Sequence, residues 1–129
     1  MPQVIIITFG HLHDDPPQGT HITLDLRRHF RDPHVSPALR HLTARDQEVR
    51  EAVLDTAGIV PLIEATAAAV RAYMSGPSAD ENDLAVAVGC AGGRHRAATV
   101  GAELCDLLAL DGYTVSLHHQ DLDKAVVER

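Results

Sequence analysis

The sequence predicts an α/β domain in three layers, built on a small, mainly parallel sheet of about four strands. Three observations carry this. "QVIIITF" (Gln3 to Phe9) and "LAVAV" (Leu84 to Val88) are short aliphatic and β-branched runs, the pattern of strands buried on both faces. Between and after them, apolar residues recur at spacings of three and four, the pattern of one-sided helices. The resulting order, β-β-α-α-β-α-β-α, belongs to a layered α/β fold. The chain shows no repeat, low-complexity tract or candidate domain boundary, so residues 1–129 are expected to form one domain.

Taken in order, the first strand ends at Gly10, and "HLHDDPPQGT" is loop by its Pro, Gly and Asp content. "HITLDL" alternates around Ile22, Leu24 and Leu26, a second strand. From Arg27 to Leu42, Pro33 and Pro37 forbid a long helix, so an ordered loop is expected. Thr43 is the expected cap of a helix carrying Val49, Ala52, Val53 and Thr56, which Gly58 ends. Pro61 opens the next helix, whose stripe is Ile63, Ala67, Val70 and Met74. After the linker "SGPSADEND" and the third strand, a helix from about Arg94 to Leu110 turns Val100, Leu104, Leu107 and Leu108 inward and stops at Asp111-Gly112. "YTVSLHH" is the fourth strand. Asp121 is the expected cap of a last short helix, "LDKAVVE".

Composition narrows the function classes. Aromatics make up only 3% of the chain, so the core must be aliphatic. No run approaches the roughly 18 to 20 apolar residues of a membrane span, and the first residues lack the pattern of a signal peptide. Two cysteines, Cys90 and Cys105, make no disulfide framework, and a cytoplasmic location is expected. The net charge of −7 argues against general RNA or anionic-membrane binding. The charge is uneven, however. Residues 27–50 hold six arginines against Asp32, Asp46 and Glu48, a net +3, which leaves −10 for the remainder. An RNA-binding adapter role for that window predicts a steep salt dependence.

The densest chemistry lies in "GCAGGRHRA" (Gly89 to Ala97). A strand, a glycine loop and a helix in succession present backbone N–H groups and a helix N-terminus to an anion. Gly92 and Gly93 permit close approach, Arg96 can fork two donors onto a phosphate or carboxylate, and His95 can add a pH-dependent contact. Cations in a first helical turn oppose the helix dipole by roughly 0.3 to 1 kcal/mol, a conflict that a bound anion reverses. The alternative is a tight turn with solvated cations. Neither Gly-x4-Gly-Lys-Ser/Thr nor Gly-x-Gly-x-x-Gly occurs, so no ATPase or GTPase chemistry of the Walker type is expected. Cys90 to Arg96 does fit Cys-x5-Arg, which would make Cys90 the nucleophile and Arg96 the phosphate ligand of a phosphatase-like enzyme. For that chemistry Gly89 and Ala97 are the wrong neighbours. No general acid stands out between Asp14 and Asp25. A small buried residue at a strand end is the plainer reading of Cys90.

These residues resemble the C-terminal domain of the RapZ family, bacterial RNase adapter proteins. "VGCAGGRHRA" is similar to that family's Gly-Cys-x-Gly-Gly-x-His-Arg-Ser loop, and "TFG" to its Ser-Phe-Gly. "DLR" (Asp25 to Arg27), "DPHVSPALR" (Asp32 to Arg40), "TARDQEVR" and "GYTVSLHHQDLDK" resemble further segments, in the same order along nearly the whole chain. The resemblance implies a fold related to one lobe of phosphofructokinase. It also implies a regulatory binding module for a phosphorylated amino sugar, glucosamine-6-phosphate. Carried over by position, Cys90, Gly92, Gly93, His95 and Arg96 form the phosphate side, within a loop that also holds Ala91 and Arg94. Arg27 and His34 line the pocket from the basic loop, and His119 matches a terminal histidine near it. A protein partner and self-association are compatible with such a module.

The departures are specific. Ala91 stands for a usual Thr, Ala97 for a usual Ser, and Gln120 for an Arg. Nine histidines invite a metal reading, with His11 and His13 flanking Leu12 and His118 and His119 adjacent. No cysteine or carboxylate stands at a spacing that would close a tetrahedral site around them, so no metal and no cofactor is assigned.

Overall fold

A computed structural model of the chain describes residues 2–128. Strands β1 (Val4–Gly10), β2 (Ile22–Asp25), β3 (Leu84–Cys90) and β4 (Val115–His119) form one sheet in the order β2-β3-β1-β4. Every pairing in it is parallel. Helices α1 (Gln47–Leu54), α2 (Ile59–Met74) and α3 (Arg96–Leu110) complete the α/β domain. None of these helices is long and apolar enough to cross a membrane.

Handedness decides which face the helices cover. The connections β2-α1-α2-β3 and β3-α3-β4 cross the sheet in the same sense, so right-handed crossovers put all three helices on one side. There α3 packs along β1, β3 and β4, while α1 and α2 pack against α3. Ile6, Thr8 and Leu117 approach Gly101 of α3, which marks the helix-facing set of each strand. One cluster joins Val4, Ile6, Val86 and Val88 to Val53, Ile63, Val70, Val100 and Leu104. The β1–β2 connection crosses in the opposite sense and occupies the other face. It begins with His11 against Phe9, ring centroids 4.7 Å apart.

Local chemistry sets the boundaries. Gly58, at φ +92°, turns the chain into α2 three residues ahead of Pro61, and α3 ends before Gly112 at φ +93°. Two expectations are corrected. Helix α1 begins at Gln47 because residues 43–46 close a turn of their own. There Asp46 N–H donates to the Thr43 carbonyl, and Thr43 N–H donates to Asp46 Oδ2. The expected last helix is absent from the described residues: 121–124 form a turn and 125–128 have no regular structure. Asp121 does not cap, because its carboxylate accepts the N–H of Gly10 and pairs with Lys124.

Strand β3 also runs past Val88 to Cys90, in register with Gly10 of β1. The connections that leave these two neighbouring strands diverge, and a crevice at such a switch point is where open parallel sheets collect ligands.

Candidate functional site

The glycine loop is shaped first by packing. A Cβ on Gly10 would lie 2.4 Å from the carbonyl carbon of Gly92, so the chain after β1 crosses the chain after β3 with only hydrogens between them. Gly93 has φ +76°, and a Cβ there would lie 2.7 Å from Gly10 N and 3.0 Å from Asp121 Cβ. Fully buried Asp121 fastens the crossing, accepting the Gly10 N–H at 2.8 Å. The Leu12 N–H donates to the Ala91 carbonyl at 3.0 Å.

Cys90 sits at the base of the loop, 2% exposed. Its Sγ accepts N–H bonds from Gly93 at 3.2 Å and Ala97 at 3.4 Å. The sulfur therefore ties the loop to the first turn of α3.

Arg96, the first residue of α3, is 2% exposed. Its Nη1 donates to the carbonyls of Leu26 at 2.9 Å, Phe30 at 3.0 Å and Arg27 at 3.1 Å. Its Nη2 lies 3.1 Å from Asp32 Oδ2. Asp32 in turn accepts the His34 N–H and caps a 3-10 turn at Pro33–Val35. The arginine thus clamps the loop after β2 beneath the glycine loop. Its planar fork serves several acceptors at once, which a lysine cannot do.

His95 and Arg94 extend the clamp. The Nε2–H of His95 donates to the Leu42 carbonyl at 2.8 Å, since a carbonyl can only accept, and its Nδ1 lies 3.9 Å from Asp32. Arg94 donates to the carbonyls of His41 at 3.0 Å and Lys124 at 2.6 Å. Arg40 donates to the His34 carbonyl at 2.9 Å. Around these groups is a cavity of about 10 Å³, lined by Cys90, Gly92, Arg94 and His95 from the loop, by Asp32, His34 and Arg40 from the basic segment, and by Val126.

Of the residues the sequence pointed to, Cys90, Gly92, Arg94, His95 and His34 meet at this cavity. Gly93 and Ala91 hold the loop behind it, and Arg96 lies below. Arg27 and His119 stand apart from its walls. Arg27 grips Asp25 through Nε at 2.9 Å and Nη2 at 2.7 Å, which holds that carboxyl well below the usual carboxylate range. Only the carbonyl of Arg27 reaches the clamp. His119 Nδ1 lies 2.7 Å from Thr8 Oγ1. Burial pushes its pKa down, and Arg45 adds to that.

Sequence reasoning missed Asp32, Arg40, Asp121 and the pair Arg45–Asp123. The order Asp32-Pro33 was a legible cap signal, and Arg40 lies within a segment already singled out. The ion pairs join residues too far apart in the chain for any spacing rule. A larger groove of about 520 Å³ lies between residues 31–39 and the end of α1. Its walls include Val35, Leu39, Ala52 and Ala57, and its charged lining residues are Arg31, Asp32 and Asp55, so no excess of cations converges on it.

A parallel α/β domain with a glycine-cysteine loop and clustered cations at its switch point defines the class. Comparison gives the family: the model of the RapZ C-terminal domain matches residues 2–123, and the chain belongs to that family. A protein of Thermobifida fusca named nucleotide-binding protein is 32% identical over 120 residues, 92% of this chain and 40% of its own length. One of the same name from Clavibacter michiganensis is 35% identical over 124 residues, 95% of this chain and 42% of its own. A third, from Heliobacterium modesticaldum, is 28% identical, with 95% and 40% covered. The chain spans about two-fifths of the length of these relatives.

Proposed function

We propose that this domain binds a phosphorylated small metabolite of the glucosamine-6-phosphate kind at the Cys90–Arg96 loop and acts as a regulatory sensor. The observation that carries the reading is convergence. Arg94 and His95 of the glycine loop meet His34 and Arg40 of the basic segment at the switch point of a parallel sheet. Cations converging on a glycine loop at strand ends suit a phosphate, which takes charge-assisted bonds from several directions.

In this reading Arg96 is a positioning residue. Its guanidinium holds the 26–32 loop, so the direct anion contacts fall to Arg94, Arg40 and the histidines. The same geometry weighs against a cysteine phosphatase, which needs the Cys-x5-Arg arginine facing the phosphate. It also weighs against RNA recognition by the basic window. Arg27 and Arg45 are paired with Asp25 and Asp123, while Arg50 donates to the carbonyls of Ala44 and Arg45.

Isothermal titration with glucosamine-6-phosphate tests the proposal, with glucosamine, inorganic phosphate and a nucleotide as comparisons. Saturable binding of the sugar phosphate that weakens at least about tenfold in Arg94→Ala is expected. Binding of the nucleotide alone, or of nothing, would refute it.

A further inference from the structure

The cavity at the glycine loop takes one of its lining residues, Val126, from near the end of the described chain. At about 10 Å³ it has room for at most a single water. Two cations, Arg94 and Arg45, contact the same segment. Arg94 donates to the Lys124 carbonyl at 2.6 Å, and Arg45 grips the Asp123 carboxylate through both terminal nitrogens. That bond holds the Asp123 carboxyl below its usual range, and Arg94 and His119 face the same group. An acidic side chain and a carbonyl oxygen thus occupy cations beside the loop.

Residues 125–128 have no regular structure, and Asp123, Lys124, Ala125 and Glu128 are exposed. The family match ends at residue 123, so most of the segment lies beyond the matched span.

We infer that residues 123–128 form a displaceable latch. The segment lies against the anion loop, with the Lys124 carbonyl occupying Arg94 and the Asp123 carboxylate occupying the neighbouring Arg45, and an incoming phosphate releases it. This rests on the anion-binding reading of the loop. Opening would expose Val126 and Val127 and free Arg45 and Arg94 together, so that ligand binding changes the surface offered at this edge. A latch also lowers apparent affinity by the fraction of molecules that are open. If about one in ten is open, removing the latch tightens binding about tenfold.

Inorganic phosphate is the probe, with the full chain, Asp123→Asn and Val126→Ala measured side by side. Amide exchange at Ala125, Val126 and Val127 is followed by NMR with and without phosphate at equal ionic strength. The inference predicts tighter phosphate binding in both variants and faster exchange at these amides when phosphate saturates the wild type. Equal affinities with unchanged or slower exchange would make the segment a fixed wall, overturning the latch while the anion site stands. Tighter binding in Asp123→Asn alone, with exchange unchanged, would be a plain charge effect and would overturn it too. Phosphate binding to none of the three would defeat the anion reading, and the latch with it.

Discussion

Arg96 Nη2 lies 3.1 Å from Asp32 Oδ2, joining the first residue of α3 to the cap of the Pro33–Val35 turn. A cation at that helix position works against the helix dipole. The structure accommodates it through a carboxylate and three carbonyl oxygens instead of leaving it to solvent. The site therefore rests on a buried polar clamp, and the clamp determines what its variants do.

Arg96→Ala removes one partner of a nearly buried pair and orphans three carbonyls. It is expected to destabilise the domain by about 3 kcal/mol. Arg96→Lys should recover less than half of that, because a point charge cannot serve the whole set of acceptors. Urea unfolding of the three proteins checks both figures. Equal stability of all three would mean that the guanidinium contributes nothing to holding the loop.

Gly10→Ala and Gly93→Ala test the backbone crossing. Each introduces a Cβ within 2.7 Å of main-chain atoms that cannot swing away, and at Gly93 the positive φ adds strain. Losses of at least about 2 kcal/mol are expected for each. Gly19→Ala is a useful comparison, since its φ of +70° carries strain with no atom within 4 Å of the new methyl group. Its melting temperature should fall less than that of either crossing variant.

At Cys90 an acceptor matters more than a nucleophile. Cys90→Ser keeps an atom that can accept from Gly93 and Ala97, so sugar-phosphate affinity should stay within about threefold of wild type. Cys90→Val leaves both amides buried without an acceptor and should cost about 1–3 kcal/mol. Calorimetric titration and thermal unfolding separate the two effects. A Ser variant that folds normally yet loses all binding would contradict the structural role.

Acid should weaken the fold in two stages. His119 and His11 are held below their ordinary value of 6.5, chiefly by burial. The folded state therefore resists their protonation. This contribution is complete above about pH 6.5 and is lost as pH falls through the lowered values. Asp25 and Asp123 are held below 3.8 by Arg27 and Arg45, and their contribution disappears as pH falls through their lowered values. The urea midpoint should drop as pH falls below about 6.5, and again as it falls below about 4. His119→Gln should flatten the first drop. A midpoint that rises on mild acidification would contradict the assignment.

The sheet was legible because "VIIITF" and "LAVAV" hold β-branched residues with no competing period, and α3 because Val100, Leu104 and Leu108 keep one face. The glycine loop stood out on its residues alone. What remained hidden depends on partners distant in sequence. Asp121 reads locally as a helix cap, but its carboxylate is taken by Gly10, and the turn it anchors is followed by the β-branched pair Val126-Val127. Thr43 reads as a cap, yet Asp46 draws it into a separate turn. Arg96 reads as a phosphate ligand until the carbonyls of residues 26–30 are seen around it. The resemblance implies Arg27 as a lining of the pocket and His119 beside it, but Arg27 pairs with Asp25 and His119 meets Thr8, apart from the cavity's walls.

The central claim is that the Cys90–Arg96 loop, with His34 and Arg40, receives a phosphate. The most direct measurement is a titration of the ¹⁵N-labelled domain with inorganic phosphate, followed amide by amide, with chloride at equal ionic strength as the reference. Saturable shifts centred on residues 90–97 and on His34 and Arg40 are expected, with small changes in α2. Shifts confined to other surfaces, or none beyond those chloride produces, would contradict it.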